Sequence, residues 1–280
     1  MNFAAEETIL TRITDATCRA LHTAEIYLPA DVKHCLMQAY EREQVPVARE
    51  TLKHILKNIE LAEEKQAPLC QDTGIPIFYV TLPDGFAFTE RMREAIMTGV
   101  KKATEQVPLR PNLVDPLTRE NTQDNTGLHM PPIHLRPGKD FVITVLPKGA
   151  GSENVSSIKM FLPSQKDDIH QFVTETALHA GGRPCPPIVV GVGIGGTFDE
   201  CAALSKEALL EPIDTMTPEE KVMCDEINTL GIGPMGLGGG ATCLAVKIKT
   251  AGCHTAGLPV AVNIQCWACR RATEVIPCTD

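Results

Sequence analysis

The stretch Pro68-Leu69-Cys70-Gln71-Asp72-Thr73-Gly74 runs directly into Ile75-Pro76-Ile77-Phe78-Tyr79-Val80-Thr81-Leu82, and the character of the chain changes at that junction. Before it, apolar residues recur every three to four positions; after it, they run almost without interruption. The first period belongs to helices with one buried face, the second to a short buried strand. Upstream, Ile9, Ile13, Ala16, Ala20 and Ala24 form one stripe, which Pro29 ends. Val32, Cys35, Leu36, Ala39 and Tyr40 form a second, opened by Asp31, and Leu52, Ile55, Leu56 and Ile59 a third between Val47 and Glu64. Downstream, helices are predicted over 89–106, 167–180 and 198–210, and strands over 75–82, 141–146, 188–192, 241–248 and 258–264. Thr217-Pro218-Glu219-Glu220 predicts a helix start, with Thr as cap, Pro in the first position and Glu in the third. Residues 107–139 are dense in Pro, Gly and Asn, which predicts a long irregular loop. The expected fold is mixed α/β: a helical N-terminal region, 1–66, packed on an α/β region, 67–280, with a mixed sheet, together one domain over 1–280.

The chain has 280 residues, enough to bury a substantial core. Its 43% hydrophobic and 22% charged residues are ordinary for a globular protein. No apolar run approaches the roughly 20 residues of a membrane span. The opening MNFAAEETILTRITDATCRAL places acids early and lacks the basic-then-apolar layout of an export signal, so a cytoplasmic, membrane-free protein is expected. A net charge of -9 without a basic stripe argues against nucleic acid as a partner. A small anionic substrate stays open, because a few local cations outweigh a distant negative average. Eleven cysteines is a high and odd count. In a reducing compartment they are buried fillers or metal ligands rather than disulfides.

Three glycine clusters stand out: Lys148-Gly-Ala-Gly-Ser152, Gly191-Val-Gly-Ile-Gly-Gly-Thr197, and the run from Gly231 to Gly240. The second follows a strand and precedes a helix, yet completes neither a dinucleotide fingerprint nor a P-loop. Together they suggest backbone amides converging on a ligand or cofactor. Asp72-Thr73-Gly74 alone is the aspartic protease triplet, but that chemistry needs a second carboxylate, and no second triplet exists. Cys185 is wedged between Pro184 and Pro186, and Cys266-x-x-Cys269 follows the last predicted strand. The latter reads equally as a zinc half-site or a redox pair, although no second such pair is present. Three separated cysteines at strand ends also suit an iron–sulfur cluster held by three thiolates. Such a cluster leaves one iron open as a Lewis acid. Spacing alone does not select Cys70, Cys185 and Cys266 among the eleven.

The order of these motifs carries a resemblance. CQDTG at 70–74, KGAGSEN at 148–154, CPP at 185–187 with GIGGT at 193–197, GIGPMGLGGG at 231–240 and HTAGLPVAVNIQCWACRR at 254–271 resemble the class I fumarate hydratases and the related tartrate dehydratases, over nearly the whole chain. The chain looks like the α subunit of the two-chain form, in which a β subunit completes the site. The resemblance implies that Cys70, Cys185 and Cys266 hold a 4Fe-4S cluster with one open iron. It implies that Gln71 and Asp72 face the substrate, with Asp72 transferring a proton, and that His254 contacts the substrate. Arg110 would bind a substrate carboxylate, and the amide of Gly151 would approach it. The implied reaction is reversible hydration of fumarate to malate by an α2β2 assembly acting on a small dicarboxylate. Tartrate or another hydroxy-dicarboxylate is the alternative substrate on the same scaffold. Cys269 stands where Ala or Asp is common in the family, and Cys201, Cys253 and Cys278 have no implied role. A protein of a different class, a non-catalytic iron–sulfur or zinc protein for sensing or electron transfer, would have no need of the polar residues beside the cysteines.

Overall fold

Eight helices and eight strands follow one another in a computed structural model that describes residues 3–277. In chain order these are α1 (Phe3–Ile26), α2 (Ala30–Arg42), α3 (Pro46–Lys65), β1 (Ile75–Pro83), α4 (Glu90–Gln106), β2 (Ile133–Gly138), β3 (Phe141–Lys148) and α5 (Ala150–Glu153). There follow β4 (Ser157–Phe161), α6 (Ile169–Ala180), β5 (Ile188–Ile194), α7 (Phe198–Ala208), α8 (Pro218–Asn228), β6 (Cys243–Thr250), β7 (Leu258–Gln265) and β8 (Ala272–Ile276). The mixed α/β class expected from the sequence is the one observed, with two mixed sheets. The chain divides into two compact units. The first is Met1–Pro29, Ile59–Gly149 and Arg270–Asp280; the second is Ala30–Asn58 and Ala150–Cys269.

The first unit is built on a sheet of order β2-β1-β3-β8, in which β1 pairs parallel with β2 and antiparallel with β3. The stripe of α1 is buried as its period demands: Ile9, Ile13, Ala16, Ala20 and Ala24 join Ile96, Val100 and Ala103 of α4 over Phe78, Val80, Ile143 and Val145 of the sheet. α4 starts at Thr89, whose hydroxyl accepts the Met92 amide at 3.4 Å. The segment expected to be an irregular loop contains β2, and β8 was not foreseen. Each is an edge of this sheet.

The second unit has a sheet of order β4-β7-β5-β6, parallel between β5 and β6 and antiparallel elsewhere. Ile169, Val173 and Ala177 of α6 and Met223, Cys224 and Ile227 of α8 pack on its apolar strands. α7 lies close to β5 because Gly191 has no side chain: a Cβ there would stand 2.0 Å from the carbonyl oxygen of Ser205. The predicted start of α8 forms as a capping box. Thr217 Oγ1 accepts the Glu220 amide at 3.3 Å, and Glu220 Oε2 accepts the Thr217 amide at 2.8 Å.

Candidate active site

The Cys70–Gly74 loop enters β1 in the first unit. Gly74 adopts φ +73, and a Cβ on it would meet the Lys148 backbone at 2.6 Å, so the sharp entry into β1 requires glycine. This turn folds the carboxylate of Asp72 back on its own chain: Oδ1 accepts the Gly74 amide at 2.9 Å. Asn112 Nδ2 donates to the same oxygen at 3.3 Å and to the Gly74 carbonyl at 3.0 Å. A Cβ on Gly149 would lie 3.1 Å from Oδ2, so the second carboxylate oxygen rests against the glycine turn that follows β3.

Arg110 belongs to the same construction. Its amide donates to Thr73 Oγ1 at 3.0 Å, and its carbonyl accepts Asn125 Nδ2 at 3.1 Å. Asn125 is buried at φ +59 and also accepts the Asn112 amide at 2.7 Å, tying the two loops together. The Arg110 and Gln71 side chains are exposed, whereas Asp72 and Cys70 are half-buried. Asn112 and Asn125 were not foreseen. The sequence signal for them was the density of Asn in the 107–139 segment, since Asn tolerates left-handed backbone and bonds locally.

Beneath this loop lies a buried ion pair that the sequence reading also missed. Arg270 Nη1 donates to Glu25 Oε2 at 2.6 Å, and each side chain is 1% exposed. Arg270 Nη2 donates to the backbone carbonyl of Asp72 at 3.0 Å. The backbone carbonyl of Glu25 accepts the Leu69 amide at 2.8 Å. Burial pushes the Glu25 carboxyl up to about 7, against the pull of the Arg270 guanidinium. Oε1 of Glu25 is buried without a hydrogen-bond partner. The signal was present in α1: Thr17, Leu21 and Glu25 form one row at four-residue spacing, and the first two are buried. A carboxylate continuing a buried row demands a counter-charge.

In the second unit, two of the three candidate thiols are neighbours through their backbones. The Trp267 amide donates to the Cys185 carbonyl at 3.2 Å, which brings the proline-framed turn against the segment that opens with Cys266. Cys185 sits at φ +53, an uncommon conformation for a non-glycine residue, and both thiols are half-buried. Cys70, on the loop of the first unit, is likewise half-buried. Among the described residues, no three His, Cys, Asp or Glu side chains converge as the ligands of one metal ion would. Thiolates of a cluster each hold a different iron, so they need no common point of convergence. Partial exposure and fixed backbone at the two neighbouring thiols therefore fit a cluster-ligand role.

Of four further cysteines, two are fully buried, one is exposed and one lies outside the described residues. Cys269 is fully buried, with its thiol directed at the Leu209 carbonyl at 3.9 Å. Cys201 is also fully buried, donates to the Gly193 carbonyl at 3.2 Å, and is pushed up to about 11 by burial. Both pack as small apolar fillers. Cys253 is exposed, and Cys278 lies outside the described residues. Gly151 is exposed in α5, where a Cβ would meet the Arg183 carbonyl at 3.0 Å.

His254 is exposed in the turn before β7, with Nδ1 accepting the Ala256 amide at 3.1 Å. The neighbouring Gly252 carbonyl accepts the Gly196 amide, so this turn stands beside the GIGGT turn. Cys266 follows the other end of β7, and Gln265 pairs with Val189 just beyond Cys185. An eight-residue strand separates His254 from the two thiols, a span of roughly 24 Å at about 3.4 Å per residue. The sheet thus brings Cys185 and Cys266 together and holds His254 apart from them. The last glycine cluster directs amides at the protein itself: Gly240 and Ala241 donate to Glu43 Oε2 at 2.8 and 3.2 Å.

Comparison with known proteins covers nearly all of this architecture. The family model described as fumarate hydratase (Fumerase) matches residues 14–275. A Methanocaldococcus jannaschii protein, provisionally named L(+)-tartrate dehydratase subunit alpha, is 50% identical over 95% of this chain and 98% of its own length. A Geobacillus stearothermophilus protein, provisionally named class I fumarate hydratase, is 34% identical over 87% of this chain and 51% of its own length. The L(+)-tartrate dehydratase subunit alpha of Escherichia coli O157:H7 is 29% identical over 99% of this chain and 94% of its own length.

Proposed function

Because this chain belongs to the fumarate hydratase (Fumerase) family of hydro-lyases, we propose that it is the α subunit of an iron–sulfur hydro-lyase that reversibly hydrates fumarate to malate in the cytoplasm. The observation that carries the reading is the held carboxylate of Asp72, placed two residues after Cys70 and tied through Thr73 to the loop of Arg110. Two N–H donors fix one carboxylate oxygen, leaving the group oriented for proton exchange with a departing or arriving hydroxyl. The exposed Arg110 guanidinium grips a substrate carboxylate through its planar fork, and the exposed Gln71 amide offers a further hydrogen bond to the substrate. The Gly151 amide approaches the same ligand.

Cys70, Cys185 and Cys266 would hold a 4Fe-4S cluster. When bound, it supplies a Lewis acid through its open iron, polarising the substrate hydroxyl and stabilising charge on the adjoining carboxylate. The half-buried state of the three thiols and the bond between the Cys185 and Trp267 backbones support this ligand set. Residues 1–280 then act as one functional domain. The "subunit alpha" names of two relatives support a separate partner subunit; in this reading it is a β subunit of an α2β2 assembly and supplies the base that takes the carbon proton. His254, at the far end of β7, contacts a substrate held near the thiols only when another chain presents it. Co-expressing a Cys266→Ser chain with a His254→Asn chain is then expected to restore part of the turnover that each lacks alone. No recovery would remove His254 from the site.

A second reading keeps the site and changes the substrate. The 50% identical relative and the Escherichia coli protein both carry the tartrate dehydratase name, which favours dehydration of L(+)-tartrate. The test is an anaerobic assay of the chain co-purified with its β subunit on fumarate, malate and tartrate, with iron and sulfide quantified in the same sample. Malate–fumarate turnover supports the first reading and tartrate turnover alone the second. No turnover with a full complement of iron would favour a sensing or electron-transfer protein, and absence of iron would overturn the cysteine assignment.

A further inference from the structure

The first unit places a buried charge pair directly under the loop that carries Asp72. Glu25, near the C-terminal end of α1, holds that loop at two points. Its backbone carbonyl takes the Leu69 amide at 2.8 Å. Its carboxylate takes Arg270 Nη1 at 2.6 Å, and the other arm of the same guanidinium donates to the Asp72 carbonyl at 3.0 Å. Residues 69–72 are thus bracketed from below, while Gly74 and Asn112 fix the Asp72 carboxylate. The arrangement is costly for a structural device. Both charges are removed from water, one carboxylate oxygen is left without a hydrogen bond, and replacing such a pair by apolar residues is often neutral or stabilising.

We infer that Glu25 and Arg270 are positioning residues for the hydro-lyase reaction, holding the Asp72 backbone so that its carboxylate meets the substrate in register; this rests on the proton-transfer role proposed above for Asp72. The forked guanidinium is what the task needs. One arm must hold an anion while the other holds a carbonyl in a fixed direction, which an ammonium does poorly. Neither residue touches the substrate. Their effect is confined to the transition state, where Asp72 acts, so loss of the pair lowers kcat and leaves KM largely unchanged.

The test compares four forms of the assembled enzyme: wild type, Asp72→Asn, the double variant Glu25→Met/Arg270→Met, and Arg270→Lys. Melting temperature, iron content, kcat and KM are measured for each. Removing both charges together avoids an unpaired buried ion, so the double variant is expected to melt near the wild type with full iron. Its kcat is expected to fall by about 100-fold with KM within about twofold, the scale of a misplaced catalytic group. Arg270→Lys, which keeps the charge and loses the fork, is expected to lose kcat in the same direction without loss of folding, and it decides the matter if the double variant does not fold. Wild-type kcat in either folded variant would overturn the inference, as would a loss of kcat that merely follows loss of iron, or a rise in KM at unchanged kcat. If Asp72→Asn itself keeps wild-type turnover, the Asp72 reading fails first. If Asp72→Asn is inactive and the pair variants are not impaired, only the present inference fails.

Discussion

Among the described residues, each unit buries a carboxylate against a cation, and these two pairs are built differently. In the second unit, Glu220 and Lys247 lie 3.0 Å apart at 4% and 11% side-chain exposure. Glu220 accepts the Thr217 amide and the Ile248 amide as well, and Lys247 donates to the Thr215 carbonyl. Burial works against the Glu220 charge, but these donors outweigh it and hold the carboxyl below its usual range. In the first unit, Glu25 keeps one oxygen without a partner, and burial prevails over Arg270. A pair in which every side-chain oxygen and nitrogen has a partner closes a helix start onto a strand and serves the fold. The under-satisfied pair instead reaches up to the loop of Asp72. Incomplete satisfaction beside a candidate site is where the sequence has given up stability, and it points to use.

The comparison can be broken by removing one partner at a time. Glu25→Met leaves the Arg270 charge buried alone, and an unfolding titration is expected to show a loss of about 3–5 kcal/mol. A loss near zero would mean that the guanidinium finds water, and the pair would not be a tight one. Glu220→Gln keeps a hydrogen-bonding side chain in place, so the second unit is expected to lose about 1.5–3 kcal/mol, with turnover per folded molecule unchanged. A change in kcat at full folding would erase the distinction between the two pairs.

The response to pH sharpens the contrast, because the two signs are opposite. The Glu220 contribution is fully present above its unfolded value near 4.5 and is lost as pH falls through the lowered folded value. The Glu25 carboxyl is raised to about 7, so its contribution is fully present below about 4.5 and is lost as pH rises through 7. Melting curves of wild type, Glu25→Gln and Glu220→Gln across this range are the check. Wild type is expected to lose ground to Glu25→Gln as pH rises from 4.5 to 7, and to lose its advantage over Glu220→Gln as pH falls below 4.5. Parallel shifts in both variants would contradict the assignment.

Much of the fold was legible because buried elements write their period into the sequence. The stripe from Ile9 to Ala24, the run from Ile75 to Leu82 and the Thr217 cap all appear where they were expected. The unforeseen strands β2, β4 and β8 are edges of their sheets, with side chains such as Leu135, Met160 and Val275 exposed, so no apolar run marks them. The motifs pointed to the loop of Asp72 and to the turns of Cys185 and Cys266, and the structure joins the latter two through the Trp267 amide. Glu25 was hidden because the partner that explains it, Arg270, lies 245 residues away in sequence. The glycine clusters suggested a ligand. Gly191 instead admits a helix against a strand, and the Gly240 and Ala241 amides serve the Glu43 carboxylate.

The most direct test of the account is malate-to-fumarate turnover of the Asp72→Asn chain beside the wild type, each assembled with its partner subunit and matched for iron content. The expected result is a kcat lower by about 100- to 10,000-fold, the usual worth of a positioned acid or base, with unchanged iron and an unchanged melting temperature. Wild-type kcat in the Asp72→Asn enzyme would contradict it.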